Sequence, residues 1–133
     1  MGTRARIAIQ LPDGSVKSIY SHWDNYPSGT GKLLKEHFNS YEKAKELIAG
    51  GDISSLWTNL GFNQETLPET GPLYYSLRGD NCPPMIHKNL RQFRKDTKDC
   101  WGEYAYFLSD GEWICWKLSC KNNTVRRVKI PAS

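Results

Sequence analysis

The stretch Trp23-Asp24-Asn25-Tyr26-Pro27-Ser28-Gly29-Thr30-Gly31-Lys32-Leu33 gathers residue types that handle nucleotides: aromatics, a carboxylate, glycines and a lysine. Its end invites comparison with the phosphate loop of nucleotide hydrolases. That loop needs two glycines five positions apart, then Lys, then Ser or Thr, so that consecutive N–H groups wrap a phosphate and a hydroxyl holds magnesium. Here Gly29 and Gly31 are two positions apart, and the residue after Lys32 is Leu33, which cannot hold a metal. The segment before it is not the apolar run of a buried parallel strand. The stretch therefore reads as a turn that opens a helix, with the glycines allowing a sharp approach. A glycine-rich helix start also presents free N–H groups that suit an anion.

Other catalytic patterns are missing. The histidines are His22, His37 and His87. His22 stands near Asp24, but proximity along a chain does not make a dyad. No Gly-x-Ser-x-Gly, His-x-x-x-His or kinase-like set occurs. Asp24, Asp52 and Asp80 fall in separate loops, where each can cap a turn. Cys82, Cys100, Cys115 and Cys120 lack the close pairs of a zinc site, and no cofactor or metal is called for. The residues favour a binding module over an enzyme.

The sequence of 133 residues fits a single domain, 1–133, with length enough for a real core. The charge is +4, from 18 basic and 14 acidic residues, too mild for a grip on long duplex nucleic acid. The basic residues cluster, however: Arg91, Arg94, Lys95 and Lys98 form one group, and Lys121, Arg126, Arg127 and Lys129 another. With five Trp, seven Tyr and four Phe, this mixture suits a flat anionic ligand such as a nucleotide. No run is long and apolar enough to span a membrane, and no apolar signal core follows the first residues. The expectation is a cytosolic chain with reduced thiols.

The elements that must position these groups can be read along the chain. Residues 4–10 and 15–23 alternate around Pro12-Asp13-Gly14, a hairpin pattern. On the second strand Val16, Ser18, Tyr20 and His22 share one face and Ile19 lies on the other. Residues 30–38 and 40–49 read as helices. Asn39 is placed to cap the second, with Glu42 completing a capping box and Gly50-Gly51 ending it. Tyr41, Ala44, Leu47 and Ile48 are its expected buried side. Residues 52–56 read as a loop or single turn, 58–72 as a surface loop, 73–77 as a strand and 85–98 as a helix. Residues 103–108 and 112–118 form a hairpin about Asp110-Gly111, and 125–130 add a last strand. The expected class is α+β: an antiparallel sheet of hairpins with two helices packed on one side.

These residues also carry a family resemblance. Thr3-Arg4-Ala5-Arg6-Ile7, Asp13-Gly14, Ser18-Ile19-Tyr20, His22 to Pro27, Gly31-Lys32-Leu33-Leu34, Glu46-Leu47-Ile48 and Gly51 to Leu56 resemble small phage proteins of the anti-Thoeris sponge family, the type called Thoeris anti-defence protein one. Tyr74-Tyr75, Arg78-Gly79-Asp80, Glu103 to Tyr106 and Gly111-Glu112-Trp113 extend the similarity over most of residues 3–118, the first half being the more specific. The resemblance implies a non-catalytic binder in the host cell cytoplasm. Such proteins sequester the glyco-cyclic ADP-ribose signal of bacterial immune TIR enzymes, and some take up cyclic oligonucleotides at a separate site. It also implies a homodimer or a hexamer. This chain departs from the pattern at Asn25, where members often have Gly, and at Leu77 to Asp80, where members carry a richer Arg-Asp-Arg-Gly-Glu run.

A cyclic nucleotide-type ligand needs an aromatic for its base, cations or N–H groups for its phosphates, and Asp or Asn for its hydroxyls. Trp23, Tyr26, Tyr74, Arg78, Asp80, Arg91 and Arg94 supply that set, mostly beside strand ends. The runner-up is a phage inhibitor that binds a host defence protein directly through exposed aromatics.

Overall fold

The computed structural model describes residues 4–22, 25, 27–55, 73–74, 83–100, 102–109, 111–119 and 124–130. Eight strands and three α-helices form an α+β fold. In chain order they are β1 (Ala5–Gln10), β2 (Val16–Ser21), α1 (Lys32–His37), α2 (Tyr41–Ala49), β3 (Ile53–Ser55), β4 (Leu73–Tyr74), β5 (Met85–His87), α3 (Leu90–Asp99), β6 (Tyr104–Ser109), β7 (Glu112–Ser119) and β8 (Thr124–Val128). The sheet runs β4-β3-β2-β1-β6-β7-β8, with β5 also pairing β2.

The sheet is mostly antiparallel, in line with the expected α+β class, with two parallel joins. The hairpins β1–β2 and β6–β7 and the β7–β8 pair are antiparallel, but β1 lies parallel to β6 and β2 parallel to β3. Two apolar hairpins can bury both faces only by lying side by side, and their facing strands then decide the sense of the join. Residues 53–55, expected as a loop, form β3, and 85–87, expected as helix, form β5. Both are short strands that complete hydrogen bonding along β2, a tertiary gain that three-residue windows do not announce.

Strand alternation divides the core into two layers. Ile7, Ile9, Ile19, Tyr106, Leu108, Trp113 and Cys115 meet Leu34 of α1 and Ala44, Leu47 and Ile48 of α2. Ala8, Val16, Ala105, Phe107, Trp116 and Leu118 meet Phe93 of α3. Side chains of α1 and α2 thus belong to the first layer and Phe93 of α3 to the second. Burial on both faces explains why β6 reads as a nearly continuous apolar run, and why Ala8 stands between Ile7 and Ile9 in β1 where clean alternation would put a polar residue.

Local chemistry sets the helix ends. The α2 cap is Ser40, one residue later than expected, and its hydroxyl accepts the Lys43 N–H at 3.3 Å. With Lys43 in that third position, Glu42 cannot close the expected box. Gly51, at φ +88, provides the left-handed residue that ends α2. Tyr41, expected inside, is 40% exposed and donates its hydroxyl to the Gln10 carbonyl at 3.0 Å.

Residues Pro27–Gly31 form a π-turn leading into α1. Asn25 holds it: its amide donates to the Ser21 carbonyl at 2.9 Å and its side-chain oxygen accepts the Thr30 hydroxyl at 2.9 Å. The Tyr106 hydroxyl donates to the Asn25 carbonyl at 2.6 Å. Gly31 has an ordinary right-handed φ of −57. A Cβ there would lie 3.2 Å from the Tyr106 ring and 3.1 Å from Ile130, so close packing is its reason, not a sharp turn or a phosphate.

Gly102 is tighter. A Cβ there would lie 2.6 Å from both the Thr97 carbonyl oxygen and its methyl group, just past the end of α3. Gly102→Ala must push the backbone of that end away, and denaturant unfolding is expected to show a loss of about 1–3 kcal/mol. Wild-type stability would mean that the α3 terminus yields freely.

Candidate functional site

Helix α3 is built as a helix with three faces. Asn89 caps it by accepting the Gln92 N–H at 2.9 Å. At about 100° per residue, Phe93 and Thr97 point together, and both are fully buried. Arg91, Arg94, Lys95 and Lys98, spaced i, i+3, i+4 and i+7, form a cationic stripe on one side. Gln92 and Asp96 lie on the other side.

The cationic stripe borders a groove of about 650 Å³ between α3 and the β7–β8 edge. Trp116 forms its floor, and Arg127 stands directly across from Trp116 in the β7–β8 register. The Arg94 guanidinium lies 5.1 Å from the centre of the Trp116 ring, a cation–π contact. Five cationic side chains, Arg91, Arg94, Lys95, Lys98 and Arg127, face the groove against the single carboxylate of Asp99. Asp99 is engaged by Lys95 at 2.9 Å. Arg91, Arg94 and Arg127 form no ion pair among the described residues. The arrangement can take an anion carrying more than one charge.

Two other grooves are weaker candidates. One of about 580 Å³, beside Trp113, is lined by Lys35, Arg127 and Lys129 with Glu112. The Trp113 indole N–H there is already spent on the Phe38 carbonyl at 2.8 Å. Another of about 590 Å³, near Tyr41 and Leu108, has no cation in its lining among the described residues.

Of the sequence candidates, Arg91 and Arg94 come together in the α3 groove. Tyr74 belongs to β4, at the far edge of the sheet, and its side chain lies outside the described residues, as do Trp23, Tyr26, Arg78 and Asp80. At about 4.8 Å per strand, five steps from β4 to β7 put the Tyr74 backbone roughly 24 Å from Trp116. Within one chain, Tyr74 and Arg94 do not converge. Trp116 was not singled out in the sequence. Its signal was alternation in β7, where Ile114, Trp116 and Leu118 share the α3 face.

A second cluster is buried behind α3. Arg6 Nε donates to Ser18 Oγ at 2.7 Å, Ser18 Oγ meets His87 Nε2 at 2.6 Å, and His87 Nδ1 meets Asp96 Oδ2 at 2.7 Å. Gln92 donates to the other Asp96 oxygen at 2.7 Å. Ser, His and Asp in this order match a charge-relay geometry. Yet Ser18 is 0% exposed and His87 1%, and the hydroxyl already receives Arg6, so no substrate reaches it. The cluster is a structural relay. Sequence spacing gave no hint of it, since Ser18 and His87 are 69 positions apart.

Asp52 and His22 make contacts that hold the fold. Asp52 accepts the Tyr20 N–H at 2.8 Å and so ties β3 to β2; burial raises its carboxyl above the usual range, against that hydrogen bond and the charge of Arg6. The His22 ring meets the Tyr20 hydroxyl at 2.7 Å. Cys100 and Cys115 are free thiols, and burial pushes Cys115 up to about 12, too high for a nucleophile. Cys82 and Cys120 lie outside the described residues. No cluster of His, Cys, Asp or Glu able to hold a metal occurs among the described residues, and none of the described helices is long and apolar enough to cross a membrane.

Searches of protein-family models, curated proteins and solved structures each return no match to this chain. The groove is therefore argued from its own geometry.

The relay makes stability depend on pH. Burial holds the His87 imidazole below its ordinary 6.5, with Arg6 adding to the effect and Asp96 opposing it. Burial works to raise Asp96, but the hydrogen bonds from His87 and Gln92 outweigh it and hold it below 3.8. The His87 contribution is therefore complete above 6.5 and is lost as pH falls through its depressed folded value. Asp96 contributes until pH falls below 3.8. The melting temperature is expected to drop on acidification from neutrality, and less so in His87→Gln. Equal slopes for the two proteins would contradict this.

Proposed function

We propose that this protein is a non-catalytic binder that sequesters a nucleotide second messenger of the cyclic ADP-ribose type, gripping its pyrophosphate in the α3 groove. The observation that carries this reading is the set of five cations around Trp116 with one carboxylate among them. A buried pyrophosphate without a counter-cation would be unstable, and the groove supplies cations without a metal. Arg94, held over the indole at 5.1 Å, is ordered before the ligand arrives, which reduces the entropy lost on binding. Among the described residues, the one charge-relay geometry, at Ser18 and His87, is buried away from contact with ligand.

The resemblance to anti-Thoeris sponges points to a glyco-cyclic ADP-ribose, with cyclic oligonucleotides as a further class, and to action in the host cytoplasm. It also points to a homodimer or hexamer. Since Tyr74 sits at the opposite edge of the sheet from the groove, any stacking it gives to the ligand base comes from a second copy of the chain. Trp23, Tyr26, Arg78 and Asp80 remain proposed contacts of the same ligand.

The test is uptake and release. The protein is mixed with the TIR-derived signal, freed of unbound material and heat-denatured, and the supernatant is analysed. Intact ligand is expected. Cleaved product would mean an enzyme, and no uptake would favour direct binding of a host defence protein. By calorimetry, Arg91→Ala, Arg94→Ala and Arg127→Ala are each expected to weaken binding by about ten- to hundredfold, the worth of one charge-assisted hydrogen bond. Melting should change little, because the lost charges are at the surface. Wild-type affinity in all three would remove the groove from the site.

A further inference from the structure

We propose that His87 is the positioning residue of the α3 groove: its neutral imidazole, strung between Ser18 and Asp96, seats the helix so that Arg94 lies on Trp116, and uptake of a proton unseats it. The effect on ligand affinity rests on the reading of the groove as an anion site; the link between His87 and α3 does not.

The neutral state is the one that gives the Ser18 hydroxyl hydrogen an acceptor. Arg6 Nε–H donates to Ser18 Oγ, so the single Ser18 hydrogen is left to donate to His87 Nε2. The His87 Nε2 is then an acceptor, and Nδ1–H donates to Asp96. The hydrogens on Arg6 Nε, Ser18 Oγ and His87 Nδ1 then each have one acceptor. A proton added at Nε2 points a second N–H at Ser18 Oγ and turns the hydroxyl hydrogen out of its bond. With Ser18 at 0% exposure, water does not replace the lost partner.

The charged groups facing the imidazole are Arg6 from β1 and Asp96 from α3. β2 contributes only the Ser18 hydroxyl, and α3 adds the Phe93 ring, edge-on at 5.3 Å. The protonated ring is repelled by Arg6 and attracted by Asp96. It therefore keeps its bond to α3, and the cost falls on the β2 side, where the Ser18 hydroxyl hydrogen has lost its acceptor and Arg6 faces the new charge. Asp96 is two residues from Arg94 on the same helix, so a shift of α3 away from β2 moves the guanidinium relative to Trp116. Arginines, lysines and a pyrophosphate diester keep their charges across the range in which histidine titrates, so no other groove component accounts for a pH effect there.

The decisive experiment is a pH titration of the ligand-free protein by heteronuclear NMR, from about pH 8 to about pH 5. The expected result is a neutral His87 with hydrogen on Nδ1. On acidification the amides of Leu90 to Asp99 and the Trp116 indole N–H should shift with the same midpoint as the His87 ring. In His87→Gln that shared transition should be absent. Constant α3 and Trp116 signals while His87 titrates would overturn the proposal, as would hydrogen on Nε2 at high pH. Affinity for the cyclic pyrophosphate diester should fall about tenfold through the same midpoint and stay level in His87→Gln. Uptake of no ligand at any pH would defeat the reading of the groove, while the NMR titration would still decide the role of His87.

Discussion

The hydrogen-bonded string Arg6–Ser18–His87–Asp96 is the constraint on which the arrangement of α3 depends. It passes from β1 through β2 and β5 into the helix, buried at Arg6, Ser18 and His87 and partly exposed at Asp96. Apolar contacts from Phe93 hold α3 against the sheet but do not by themselves fix its rotation. A polar string with one hydrogen per acceptor does, because any rotation leaves a buried group unpaired. Satisfied in this way, a buried histidine and a half-buried carboxylate give orientation rather than reactivity.

Rotation matters because α3 carries different chemistry on each side. Its acidic and amide side, Asp96 and Gln92, meets His87. Its cationic side, Arg91, Arg94, Lys95 and Lys98, meets the β7–β8 edge. The same contacts that bury Phe93 thereby hold several like charges together over Trp116. Such a concentration opposes folding through its own repulsion and is relieved by an anion. The cation–π contact of Arg94 and the Lys95–Asp99 pair offset part of it.

Periodicity made much of the fold legible. The hairpins at Pro12-Asp13-Gly14 and Asp110-Gly111 and the buried side of α2 follow from alternation, turn residues and helical spacing. The parallel joins, β3 and β5 were hidden, because they depend on partners distant in sequence and occupy only a few residues each. In the site, the clustering of Arg91, Arg94, Lys95 and Lys98 was visible, and helical spacing turns that cluster into a stripe. Trp116 looked like any core tryptophan until the β7–β8 register set Arg127 opposite it. The glycines that first suggested a phosphate loop had a different cause: Gly31 fits beneath Tyr106 and Ile130. Asn25, a departure from the resembled family, proves to brace the turn that follows β2.

The central claim is that the proposed nucleotide ligand sits over Trp116 between α3 and β8. The most direct measurement is a ligand titration followed on the indole N–H signals, with Trp113 on the opposite layer as internal control. The account predicts a saturable shift of Trp116 together with the amides of Arg91, Arg94 and Arg127, while Trp113 stays nearly still. Saturable shifts that spare Trp116 and α3 would contradict it.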